Sequence, residues 1–130
     1  MQENPVHRYQ KFWLAIGYLL IALIIYLSVT SAPPLPEIDV PYFDKFGHFL
    51  AYFILMGWFA QLYHLKKLRL IYALSFVVMG VVMEFVQSFD PARMFEYADM
   101  VANSSGVVIA VLLTRVSAFR LILQKVENHI

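Results

Sequence analysis

The chain contains no cysteine, which excludes disulfides, thiolate metal ligands and a cysteine nucleophile. Charge is scarce too: Asp, Glu, Lys and Arg make up 15% of the 130 residues, against about 25% in an ordinary soluble domain. What charge there is nearly cancels, leaving a formal net of +1. Phosphate-backbone binding needs clustered surplus Lys and Arg, so nucleic acid is not an expected partner. The five glycines form no phosphate-cradling loop.

Apolar residues fill the space that charge leaves. They make up 61% of the chain, where a soluble domain has roughly 45–50%, and long stretches show no polar outer face. The excess apolar surface is expected to face lipid. Four runs fit membrane crossings, at about 12–30, 46–65, 69–89 and 99–116. The first carries no charge from Phe12 to Pro36 and is long enough for a bilayer core of about 30 Å. A cleavable signal peptide is the alternative for this run, since a basic start precedes it and Thr30-Ser31-Ala32 ends it. The run exceeds the usual ~7–15 apolar residues of a signal, and Pro33 follows the cut, so a span is preferred. The fourth run is the shortest, and Arg115 can snorkel to let its helix continue towards Phe119.

The basic residues set an orientation. Arg8, Lys11, Lys66, Lys67, Arg69, Arg115, Arg120 and Lys125 fall on one side of such a bundle, and only Lys45 and Arg93 on the other. Insertion follows this bias, which predicts both termini on the cytoplasmic side. The expected fold class is therefore all-α, a single domain over 1–130 forming a four-transmembrane-helix bundle with N-in, C-in topology. Its outer loops are Ser31–Phe43, with four prolines that favour an extended strap, and Asp90–Ala98. In the second loop Asp90-Pro91 is a helix-start pair, predicting a short interfacial helix over Pro91 to Tyr97.

The few polar residues inside the spans gather in one place. Asp44 and His48 are four apart and share a helix face with Ala51 and Tyr52; Gly80, Glu84 and Gln87 do the same on the third run, and Asp99, Asn103, Gly106 and Ala110 on the fourth. All three stripes run to the outer surface. Counting at 1.5 Å per residue brings them within about 8 Å of the interface. Ionisable groups in a span are expensive and usually face a bundle interior or wet cavity, which makes Asp44, Lys45, His48, Glu84, Gln87, Arg93, Asp99 and Asn103 a candidate functional cluster. The plain alternative is a self-neutralising network, in which Lys45, Arg93 and His48 pair with the three acids only to pin the helices together. Asp44, His48, Glu84 and Asp99 are also permissible ligands for a divalent metal, but no HExxH-type spacing supports one, and neither a metal nor a cofactor is expected. His64 beside Lys66 and Lys67 reads as a boundary residue on the cytoplasmic side.

Together, Asp44-Lys45-x-x-His48-Phe49-x-Ala51-Tyr52, Gly80-x-x-x-Glu84-x-x-Gln87 and Arg93 with Asp99-x-x-x-Asn103-x-x-Gly106 resemble the VanZ-like family of small bacterial membrane proteins over about residues 12–114. Ala110 departs from the pattern, where relatives often carry a second glycine. The resemblance implies a multi-pass protein of the bacterial cytoplasmic membrane. Its namesake is associated with resistance to the glycopeptide teicoplanin, and the resemblance implies no known reaction. Three functions fit the residues. The cluster binds a membrane lipid headgroup or lipid-linked envelope intermediate, with Lys45, His48 and Arg93 meeting phosphate and Glu84 or His48 available as general acid or base. It is a structural module of the envelope. Or it is a proton or cation site.

Overall fold

The computed structural model describes residues 7–30, 43–91 and 95–130. Within them every regular element is helical: α1 (Gln10–Val29), α2 (Phe43–Leu62), α3 (Lys66–Gln87), α4 (Tyr97–Leu113), α5 (Ser117–Arg120) and α6 (Ile122–Asn128). Leu, Ile, Val, Ala and aromatic residues dominate the first four, and no proline interrupts any of them. The turn between α2 and α3 is only Tyr63–Leu65. It closes tightly because Arg69 reaches back, its Nε donating to the Tyr63 carbonyl at 2.9 Å and Nη2 to that of Ala60 at 3.4 Å. Those carbonyls lie in the last turn of α2 and just past it, where a helix leaves acceptors unpaired.

α2 is the central helix. Leu55, Met56, Ala60 and Leu62 have no solvent exposure, and Phe59 and Tyr52 almost none. α1 approaches it at Gly17, where a Cβ would lie 2.8 Å from the ring of Phe59; Phe59 in turn stacks on Tyr72 and meets Phe76 of α3. α4 packs alongside α2 and runs in the same direction. The contact is closest at Gly106, where a Cβ would stand 2.3 Å from the Phe49 carbonyl oxygen and 2.9 Å from the Phe53 nitrogen. Only glycine allows two backbones that near.

The outer faces remain apolar. Leu19 and Leu23 of α1, Leu70, Leu74 and Val78 of α3, and Val101 and Val108 of α4 are exposed. α1 and α3 are each long and apolar enough to cross a membrane. α4 is shorter, and α2 begins with Asp44, Lys45 and His48.

Several expected boundaries shift. The second helix starts at Phe43, taking in Asp44 and Lys45, and ends at Leu62 instead of 65. The fourth covers Tyr97–Leu113 instead of 99–116, so Tyr97 opens α4 and does not close an interfacial helix. Phe95 and Glu96 are not helical, and the rest of that expected segment is Pro91, in a turn, and 92–94, which lie outside the described residues with Arg93. The proline-rich strap over 31–42 lies outside them as well. α4 does not continue to Phe119: a turn at Thr114–Val116 redirects the chain into α5 and α6.

That C-terminal pair folds back onto the base of α2. Gln61 holds it at two points, its Nε2 donating to the Phe119 carbonyl at 2.6 Å and its Oε1 accepting the Leu123 N–H at 3.0 Å. Glu127 of α6 then collects the start of the chain. Its carboxylate accepts Trp13 Nε1–H at 2.6 Å, the backbone N–H groups of Tyr9 and Arg8, and His7 Nδ1 at 3.0 Å. His7 Nε2 faces the Gln61 carbonyl at 3.0 Å. Both ring nitrogens thus face oxygens.

Candidate functional site

At the opposite end of the bundle the first turns of α2 and α4 lie side by side, and α3 finishes next to them. Lys45 turns inward towards α4. Its ammonium contacts Asp44 Oδ2 at 2.7 Å and Asp99 Oδ1 at 2.8 Å, and pairs with Glu96 Oε2. A single ammonium is thus held by three carboxylates from both sides of the α2/α4 seam. Asp99, in the first turn of α4, also lies where a helix dipole favours negative charge.

One turn deeper, His48 Nδ1 is 3.1 Å from Asn103 Oδ1. The amide oxygen accepts, which puts the proton on Nδ1 and leaves Nε2 facing Asp99 Oδ2 at 3.6 Å, longer than a hydrogen bond. Asn103 fits because Gly80 has no side chain: a Cβ there would be 3.1 Å from the Cβ of Asn103 and 3.4 Å from the Tyr52 ring. Gly80, Asn103 and Tyr52 therefore meet at one point on three helices.

Glu84 lies one turn outward from Gly80 on α3 and is 1% exposed. Its Oε1 accepts the Glu96 backbone N–H at 2.8 Å. Its Oε2 is buried with no hydrogen-bond partner among the described residues, and the same holds for the Tyr52 hydroxyl. Gln87 is buried on the next turn of α3. Exposure differs across the layer: the Asp44 side chain is 64% exposed, Glu96 46%, His48 27%, Lys45 18% and Asp99 10%.

The sequence grouping is thus assembled for Asp44, Lys45, His48, Glu84, Asp99 and Asn103, with Gln87 adjacent. Arg93 lies outside the described residues. Two features were not expected. Lys45, and not Asp44, is the residue of the α2 mouth that faces α4, and Glu96 joins the site through both its side chain and its backbone. Glu96 had no spacing signal, because it sits in an irregular segment before α4. Asp44, Glu96 and Asp99 bring carboxylate oxygens within 4.8 Å of one another, a possible set for a metal ion, but the Lys45 ammonium already lies among them. His48 and Glu84 are not part of that set.

No protein-family model matches the chain, and no solved structure does. A relative is found in Schizosaccharomyces pombe, a protein described only as uncharacterized, which is 39% identical over 108 residues. The match takes in 80% of this chain and 63% of the relative, so the chain spans less than two thirds of that protein's length.

Proposed function

We propose that the chain is a four-span membrane protein of the VanZ-like type, with both termini on the cytoplasmic side, whose outward polar layer binds the headgroup of a membrane lipid. The apolar outer faces of α1, α3 and α4 support a lipid surround. The meeting of His7 with Glu127 near Gln61 supports this orientation, since both ends of the described chain then lie at the end of α2 from which the basic 66–69 segment follows.

The observation that carries the headgroup reading is Glu84. A carboxylate 1% exposed, with one oxygen unpartnered among the described residues, sits inside the polar layer against the Glu96 backbone. Buried polar groups are normally satisfied, and an unmet one within such a layer is where a ligand's donor belongs. The expected localisation was the bacterial cytoplasmic membrane. A relative in a eukaryote, S. pombe, argues for a lipid common to both kinds of cell over a bacterial envelope intermediate.

A second reading has its own observation. Lys45 held by three carboxylates is what a purely structural clasp of α2 to α4 would look like. Lipid mass spectrometry on gently purified wild type and on Glu84→Gln separates the two. The headgroup reading expects a co-purifying lipid that Glu84→Gln loses at unchanged membrane abundance. A clasp gives the same lipid profile for both proteins.

A further inference from the structure

The outward layer is richer in acid than in base. Asp44, Glu84, Glu96 and Asp99 bring four carboxylates, and the segments that supply them, Phe43 to His48, α3 from Gly80 and Asp90 to Asn103, contain just two basic residues besides His48, namely Lys45 and Arg93. Lys45 is moreover already satisfied by three of those acids. An anionic headgroup would enter against this surplus, so phosphate alone is a poor ligand for the layer.

Lys45 also displays what the layer holds well. Its ammonium is a compact cation with three N–H donors, and it finds Asp44 at 2.7 Å and Asp99 at 2.8 Å, with Glu96 as the third partner. Glu84 and Tyr52 add further polar atoms beside that arrangement. Glu84 Oε2 and the Tyr52 hydroxyl are buried and unpartnered among the described residues, and the other Glu84 oxygen is fixed by the Glu96 N–H at 2.8 Å. Glu84 is therefore pinned in place with one acceptor to spare, under a mouth formed by Asp44 and Glu96, the two most exposed acids of the layer.

We propose that this layer takes its lipid by a primary ammonium group, making an ethanolamine-type phospholipid its occupant; the inference rests on the headgroup reading above. The ammonium donates to Glu84 Oε2 and shares the carboxylates that now face Lys45, while the phosphate stays at the surface. A trimethylammonium headgroup offers no N–H donors to these acceptors, and a phosphoglycerol headgroup brings neutral hydroxyl donors with no cation to offset the acids.

The test is native mass spectrometry of the whole chain in mild detergent, titrated with phosphatidylethanolamine, phosphatidylcholine and phosphatidylglycerol of identical acyl chains. Phosphatidylethanolamine is retained at least about tenfold more strongly than the other two, the scale of one charge-assisted hydrogen bond. Glu84→Gln and Asp44→Asn each bring its retention down towards the phosphatidylcholine level. Asp44 is exposed, so Asp44→Asn reports on binding with the fold undisturbed, and thermal melting of both variants verifies this. Glycerophosphoethanolamine, the headgroup without tails, competes poorly. Equal retention of ethanolamine and choline lipids, or preference for phosphatidylglycerol, overturns the ammonium proposal and leaves the headgroup reading standing. Retention of none of the three overturns both. Competition by the tail-less headgroup as strong as by the lipid overturns the lipid source alone.

Discussion

Lys45 on α2 and Asp99 on α4 meet at 2.8 Å across the seam of the two most intimately packed helices. The pair fixes the register of the seam at its outer end, and Gly106 fixes it two turns further in. Replacing Asp99 with Ala leaves Lys45 its more exposed partners and is expected to cost about 1–3 kcal/mol, below the range for fully buried pairs. Lys45→Ala leaves three facing carboxylates uncompensated and costs more. The double variant is expected to melt above the sum of the two single losses, which thermal unfolding in detergent measures; strict additivity would mean the two residues do not interact.

Gly106 and Gly47 form a matched pair for a second prediction. A methyl at 106 meets the Phe49 carbonyl oxygen at 2.3 Å, so Gly106→Ala forces the helices apart and is expected to cost about 3 kcal/mol or more. A methyl at 47 meets nothing within 4 Å, and Gly47→Ala is expected to stabilise by about 0.5–1 kcal/mol through helix propensity. Circular dichroism melting in one detergent decides both signs.

The four long helices were legible because a lipid-compatible run announces itself in composition alone. Their limits were less so. Asp44 and Lys45 lie outside the apolar run 46–65 and still belong to α2, where Lys45 pairs with Asp44 beside it and, across the seam, with Asp99 and Glu96, more than fifty positions away. The polar layer could be read from helical spacing on three stripes, which is why Glu84, Asp99, Asn103 and His48 were found and Glu96, outside any helix, was not. The base hub was missed altogether. Glu127 lies among polar C-terminal residues that resemble a solvated tail, and its partner His7 is 120 positions distant. The spacing of Phe119, Leu123 and Val126 was the available hint of a docked face.

The base hub has a pH signature. Burial works against the Glu127 charge, but hydrogen bonds from Trp13, Tyr9, His7 and Arg8 outweigh it and hold the carboxyl at about 2, below its ordinary 4.5. A depressed carboxylate contributes stability that is complete above its unfolded value and is lost as pH falls towards the folded one. α6 is therefore expected to undock as pH drops from about 5 to about 2, read as a change in Trp13 fluorescence. Glu127→Gln removes the transition within that window; a wild-type transition that persists unchanged in the variant assigns it to another group.

Topology is checked by cysteine scanning in this naturally cysteine-free chain. Phe89→Cys, at an 86% exposed position beyond α3, is expected to label from outside in intact spheroplasts, and Lys67→Cys only after the membrane is opened. External labelling at 67 would sink the proposed orientation.

The Gly106 contact also divides the molecule mechanically. Two backbones in van der Waals contact behave as one stiff body, so α2 and α4 have almost no freedom to slide or separate. α1 packs on that body through Gly17, aliphatic residues such as Ile21 and Ile24, aromatic rings and a Trp58 hydrogen bond to the Trp13 carbonyl, and α3 adds Glu84 to the polar layer. Whatever lipid the layer takes must therefore fit a seam that does not open, at a rim where Glu96 stands outside any helix and Asp44 is exposed.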